Sequence, residues 1–184
     1  MLINWPKKNF WHNFAYKYSP IKKEIILISN NIIQKLFKQS KNILGVLARG
    51  TDYISLKPKG HSIPPNASVL INDIKDMDNK YKYDYIFFST EDDIIRRNIT
   101  KCFKNKLKEL KPKTNIKYNY LKKEPLNLNE NINGNIEFNK IYLINIIILS
   151  KCLDIITARC SGTSGLFVLS SGFRNIKIYD LGYY

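Results

Sequence analysis

Three short polar clusters in this chain have the residue types that could do chemistry on an anionic ligand. The first is Arg49-Gly50-Thr51-Asp52, the second Thr90-Glu91-Asp92, and the third Arg159-Cys160-Ser161-Gly162-Thr163-Ser164. Arg49 offers a permanent cation with a planar fork of donors that suits phosphate. The third cluster, RCSGTS, reads as a strand end that runs into a helix amino terminus through small hydroxylated residues. Exposed backbone N–H groups and the helix dipole there make an anion site, and Ser161, Thr163 and Ser164 add hydroxyls. Taken alone, such a stretch is more often just a helix cap; with Arg49 at the same edge a diphosphate becomes the better reading. It matches neither G-x-x-x-x-G-K-[ST] nor G-x-G-x-x-G.

Two of the clusters carry a plain structural alternative. Thr90-Glu91-Asp92 could be the N-cap and first turn of a helix, and Asp52 could anchor its own loop by accepting backbone N–H bonds. His61 is the only histidine near these clusters. It is a candidate general base, though the loop that carries it, KPKGH, could equally use it for packing or to touch a donor sugar.

Positioning these clusters requires buried strands that end where they begin. Asn42 to Ala48 is an apolar run, long enough for one strand covered on both faces. Tyr85 to Ser89, YIFFS, is a second, and Asp154 to Ala158 and Asn175 to Tyr179 follow. Between them lie helical stretches: Ile21 to Gln39, with Ile25, Ile28, Ile32, Ile33 and Leu36 at three and four residue steps; Pro64 to about Lys80; Asp93 to about Leu110, stopped by Pro112; Phe138 to Lys151; and Gly162 to Leu169. Asn115 to Tyr118 is a possible short strand. Tyr120 to Asn139 reads as a long loop and a candidate cover over a cleft. Strands that alternate with helices predict an α/β fold, a Rossmann-like parallel sheet with flanking helices, in which the three clusters meet at the carboxyl edge.

At this point the sequence resembles a known family. GVLARGTDY, followed by KPKGH, resembles the R-x-T-D element of the fucosyltransferase-like glycosyltransferases, the superfamily of α-1,2, α-1,6 and protein O-fucosyltransferases. It is closely similar to bacterial members that act on surface polysaccharides. The later segments YDYIFFSTEDD, IILSKCLDIITARCSGTSG and YDLGYY extend the resemblance over roughly the last three quarters of the chain. One departure is that the commoner pattern is H-x-R-x-T-D, whereas Leu47 stands here in place of the histidine, so any nucleotide contact by that histidine is absent.

The resemblance implies a GT-B enzyme of two Rossmann-like halves that inverts the sugar carbon, requires no metal or cofactor, and takes a GDP-sugar, most often GDP-fucose, as donor to a glycan acceptor. By that likeness Arg49, Gly50, Thr51, Asp52, Thr90, Asp92, Ser161, Gly162, Thr163 and Ser164 are expected to bind the nucleotide sugar, with Arg49 meeting the leaving group; His61, by its position alone, is the candidate that would share the chemistry. The roughly 40 residues ahead of the first strand are too few for an acceptor half. The expected organisation is therefore an aromatic segment and amphipathic helix over 1–40, an interdomain remnant, and the donor-binding half over 41–184, with the acceptor half on a separate domain or chain. Trp5, Phe10, Trp11, Phe14, Tyr16 and Tyr18 in the first segment must pack, either on the helix that follows or on a missing partner domain.

Composition narrows the alternatives. With 184 residues and 44% hydrophobic content the chain can bury a core without disulfides. Its three cysteines form no C-x-x-C pair, which fits reduced thiols. The opening MLINWPKK lacks the apolar core of a signal peptide, and Ile141 to Leu149 is too short to cross a bilayer, so a cytoplasmic setting is expected. The formal charge is +15, but five arginines leave 25 lysines among the 30 basic residues, scattered rather than clustered. With no aromatic strand of the RNA-binding type, that pattern argues against nucleic acid as the partner. The charge suits peripheral attachment to an anionic membrane face instead. A noncatalytic nucleotide- or polyanion-binding module is the alternative from another class.

Overall fold

The computed structural model describes residues 9–18, 20–50, 52–110 and 132–184. Five strands form one parallel sheet: β1 Ile43–Leu47, β2 Tyr85–Ser89, β3 Leu107–Lys108, β4 Asp154–Ala158 and β5 Ile176–Tyr179. All five residues of β1 and of β4 are buried, as strands covered on both faces require. The order across the sheet is β3-β2-β1-β4-β5. β1 pairs with β2 from Ile43↔Tyr85 to Leu47↔Ser89, and with β4 from Leu44↔Asp154 to Leu47↔Thr157. The chain therefore steps outward from β1 in one direction, then returns and steps outward in the other. The order reverses between β1 and β4.

Alternation along β1 sends its side chains into two cores. Leu44, Val46 and Ala48 join Ile86, Phe88, Ile156 and Tyr179 under helices α4 (Ala67–Tyr81) and α5 (Asp93–Phe103), which contribute Leu70, Ile74, Ile95, Ile99 and Phe103. Ile43 and Leu47 join Phe87 and Ile155 under α2 (Lys23–Phe37), α6 (Ile132–Leu149) and α7 (Ser161–Leu169), which contribute Phe37, Ile144, Ile148 and Leu166. The predicted apolar stripe of α2, Ile25, Ile28, Ile32, Ile33 and Leu36, packs on this second core. With crossovers of one hand, reversing the direction of travel moves the connecting helices to the other face, which is what separates α4 and α5 from α6 and α7.

Several elements differ from the expectation. α5 ends at Phe103, not near Leu110, because the turn at Lys104 leads into β3, whose Leu107 pairs with Ile86. The strand expected at 115–118 lies outside the described residues, as does most of the expected loop. α6 starts at Ile132, six residues before the predicted Phe138, and so takes the end of that loop. Two helices were not foreseen: α1 (Asn9–Tyr18) and the short α3 (Asp52–Leu56). α1 packs on α7, with His12 Nδ1 3.3 Å from Val168 O, rather than chiefly on the helix that follows it. The described α1 aromatics Phe14, Tyr16 and Tyr18 stay exposed.

Candidate functional site

β1 ends at Leu47, and one more backbone bond, Ala48 N–H to Ser89 O at 3.0 Å, holds its exit against β2. The chain then turns over the edge of the sheet at Arg49 and Gly50. Gly50 N–H donates to Glu91 Oε1 at 2.8 Å, and Arg49 Nε stands 3.5 Å from the same oxygen. On its other side the Arg49 guanidinium lies 4.6 Å from the centre of the Tyr53 ring, in α3. Tyr53 in turn meets His61 edge to face, with ring centroids 5.0 Å apart. A carboxylate on one side and an aromatic face on the other thus fix a guanidinium that is only 29% exposed. His61, exposed on the KPKGH loop, reaches Arg49 through Tyr53. Thr51 lies outside the described residues, and of Asp52 only the backbone, the first residue of α3, is described.

The second cluster resolves into separate jobs. Asp92 is buried, and its Oδ1 accepts from Ile94 N–H at 2.8 Å and Ile95 N–H at 3.0 Å, the N-cap of α5. Thr90 Oγ1 accepts from Asp92 N–H at 3.1 Å, and Thr90 O takes the Arg96 guanidinium at 2.6 Å. Glu91, between them, is the residue that turns towards Arg49. Gly50 passes so close to this cap that a methyl on its Cα would stand 2.7 Å from both Cβ and Cγ of Asp92.

The third cluster opens α7. Thr163 is buried, with its Oγ1 donating to Ala158 O at 2.5 Å and 2.7 Å from Thr157 Oγ1, so this hydroxyl ties the helix to β4. Ser161 and Ser164 are exposed. Cys160, the N-cap, makes no side-chain cap bond. The N–H groups of Ser161 and Gly162, in the first turn, have no acceptor among the described residues and carry the positive end of the helix dipole. Gly162 sits under the end of β1 and under α6: a methyl there would stand 3.3 Å from Leu47 Cδ2 and inside 3.0 Å of the Tyr142 hydroxyl. Burial, and then the nearby Cys160, push the Tyr142 phenol up to about 12, against an opposing pull from Arg49. All three clusters therefore gather at the carboxyl ends of β2, β1 and β4, across the point where the strand order reverses.

The last residues close one flank. Gly60 N–H donates to Tyr184 O at 3.1 Å, Ile63 N–H to Gly182 O at 3.0 Å and Tyr184 N–H to His61 O at 3.1 Å. Arg159 donates to Tyr183 Oη at 2.8 Å and pairs with Asp180 at 2.9 Å. The Tyr183 bond and that carboxylate raise its pKa. Arg159 thus braces the tail at the side of the crevice, and the tail holds the loop that carries His61.

Sequence reasoning placed Glu91 in the second cluster without giving it a role of its own, and missed two residues, Tyr53 and Tyr142. Tyr53 ends the GVLARGTDY run and was within reach of inspection; Tyr142 carries no local signal. Two open hollows lie elsewhere, one of about 540 Å³ lined by Phe37, Lys38, Tyr83 and Lys106, the other of about 230 Å³ beside Tyr81 and Lys177. They flank the amino-terminal edge of the sheet, where Lys106 is already paired with Asp78 at 2.8 Å. The donors that could hold an anion converge at the opposite edge, where open α/β sheets bind ligands. Among the described residues no helix is long and apolar enough to cross a membrane.

No protein-family model matches the chain, and no curated protein matches it in sequence. Solved structures match it in fold. A crystal structure of POFUT1 in complex with GDP-fucose aligns with a TM-score of 0.55 at 9% identity, over 85% of this chain and 46% of that one. A second, in complex with GDP, aligns at 0.54 and 9%, over 85% and 47%. A third, another crystal form with GDP-fucose, aligns at 0.51 and 10%, over 85% and 46%. The chain shares the Rossmann-like fold of these fucosyltransferase structures and spans about half their length.

Proposed function

We propose that this chain is the nucleotide-sugar-binding half of a fucosyltransferase-like glycosyltransferase. Its donor is a GDP-sugar, GDP-fucose first among the candidates, and its product belongs to surface polysaccharide synthesis. The observation that carries this reading is the pairing of a fixed, half-buried Arg49 with the bare amino terminus of α7 across the β1/β4 switch point. The shared fold with structures captured with GDP and GDP-fucose supports it.

The chemistry follows from the charges. When an acceptor hydroxyl attacks the sugar carbon, the bond to the diphosphate breaks and negative charge grows on the leaving oxygens. Arg49 and the N–H groups at Ser161 and Gly162 meet that charge, which in this reading needs neither metal nor cofactor. Ser161 and Ser164 add hydroxyl donors at the rim. Thr163 shapes the turn through its bond to Ala158. Gly50 and Asp92 hold the Arg49 turn in place, while Thr51, Asp52 and Thr90 remain proposed nucleotide contacts. His61, one ring away from Arg49, is the proposed base that takes the acceptor proton. Residues 41–184 form the donor-binding unit, 1–40 face an acceptor half on a separate domain or chain, and the lysine-rich surface favours the cytoplasmic face of an anionic membrane.

Calorimetric titration with GDP, GDP-fucose, UDP and a short single-stranded RNA, at low and moderate salt, tests this. The expected outcome is selective GDP binding that survives salt and weakens about 10- to 100-fold in Arg49→Ala, the loss of charge-assisted hydrogen bonds to phosphate. Binding of RNA alone, falling steeply with salt, would replace this reading with a polyanion-binding module.

A further inference from the structure

One residue at the crevice has no task in the reading so far. Tyr142 lies in α6 just ahead of the buried run 144–150, yet 37% of its surface is exposed. Its hydroxyl is directed over Gly162, the second residue of α7, closely enough to occupy the space a methyl group would need there. No residue among those described accepts or donates a hydrogen bond to it. Yet the groups that bear on it electrostatically, Cys160, Arg49, Glu91 and Tyr53, are the lining of the candidate site. A tyrosine kept for packing alone buries its ring, and its hydroxyl finds a protein partner. Here the hydroxyl stands instead over the first turn of α7, within electrostatic reach of Arg49 just beyond the end of β1.

We infer that the Tyr142 hydroxyl donates a hydrogen bond to the diphosphate of the bound nucleotide sugar, as a third donor between Arg49 and the amino terminus of α7. The inference rests on the donor-site reading above. Burial pushes the phenol up to about 12, so it stays protonated through the neutral range, acts as a donor and adds no charge. Gly162 is part of the same device. Its lack of a side chain leaves room for the hydroxyl beside the first turn of α7.

The test is titration of GDP into the wild-type chain, Tyr142→Phe and Gly162→Ala at one salt concentration, with urea midpoints measured in parallel. Tyr142→Phe should weaken GDP binding about 5- to 10-fold, the loss of one hydrogen bond to a charged group, with an unchanged urea midpoint. Gly162→Ala should weaken it comparably, because the new methyl pushes the hydroxyl aside while the backbone N–H remains. GDP binding by Tyr142→Phe within about twofold of wild type overturns this inference and leaves the donor-site reading standing. Weakened binding accompanied by a lower urea midpoint also overturns it, since α6 itself would then be disturbed. Absence of GDP binding by the wild-type chain overturns both.

Discussion

Gly50→Ala should be among the most damaging small changes in this chain, although its backbone is not left-handed and any residue could adopt it. The damage comes from contact. An added Cβ falls 2.7 Å from Asp92 Cβ and Cγ, and Asp92 is only 1% exposed, so the pair has no room to part. If Asp92 yields, α5 loses a cap worth about 1 kcal/mol. If Gly50 yields, its 2.8 Å bond to the Glu91 carboxylate goes, about 1.5–3 kcal/mol for a hydrogen bond to a charged group. Residual crowding adds to either, and overpacking of this kind costs about 1–3 kcal/mol. The cheaper route sets the loss, about 2–4 kcal/mol, read as a lower urea midpoint with an unchanged slope. Gly165→Ala is the matched control: in α7 its methyl meets only Ile146 Cγ2 at 3.8 Å, so it should stabilise by roughly 0.5–1 kcal/mol. In an Asp92→Gly background the Gly50→Ala penalty should fall below about 1 kcal/mol, since the clashing atoms are gone. A Gly50→Ala variant within about 0.5 kcal/mol of wild type would refute the contact argument.

Other perturbations address the two edges of the sheet separately. At the amino-terminal edge, buried Asp154 accepts from Tyr83, from Arg174 Nε at 3.1 Å and from Asn175 N–H at 2.8 Å. Burial alone would raise its pKa, but these bonds, led by Arg174, outweigh that and lower it. A depressed carboxyl stabilises the fold above its unfolded value of about 3.9 and loses that contribution as pH falls through the folded value. Asp154→Asn should therefore cost roughly 3 kcal/mol at pH 7, the low end for opening a buried pair because Arg174 is partly in water, and should flatten the acid limb of a stability-pH curve; an unchanged limb would assign it to other carboxylates. At the carboxyl edge, deleting residues 180–184 should speed amide exchange at Gly60 and Ile63, whose acceptors are Tyr184 O and Gly182 O, and leave exchange within β1 unchanged. Equal protection at Gly60 and Ile63 with and without the tail would show that the loop holds itself.

The strands were the legible part of this fold. Strands covered on both faces need mostly apolar runs, so YIFFS and DIITA could be read to their ends. The helix ends were less legible. Leu107 looked like the continuation of an apolar stripe, and only its pairing with Ile86 makes it a strand; α6 begins among asparagines whose low helix propensity hid its first turn. At the site, the gathering of three turns followed from the parallel topology, but the division of labour within each did not. Three consecutive polar residues, Thr90, Glu91 and Asp92, point in different directions on leaving a strand. Asp92 stands one residue ahead of the helix, the spacing of a cap, and that is what leaves Glu91 for Arg49. Tyr142 reaches Gly162 only through the packing of α6 on α7, a contact between distant stretches of chain that no local pattern encodes.

The position of β1 at the centre of the sheet has a consequence for how the molecule is made. Its pairing with β2 joins Ile43 to Tyr85, a separation of 42 residues, whereas its pairing with β4 joins Leu44 to Asp154, a separation of 110. During vectorial synthesis the first pairing becomes possible long before the second, and distant pairings close slowly. Until β4 arrives, one whole edge of β1 is an unpaired, apolar strand, open to association with other nascent chains. The proposed anion site cannot assemble in that period, because Ser161 and Gly162 are still to be translated. On the donor-site reading proposed above, nucleotide could not assist the early steps.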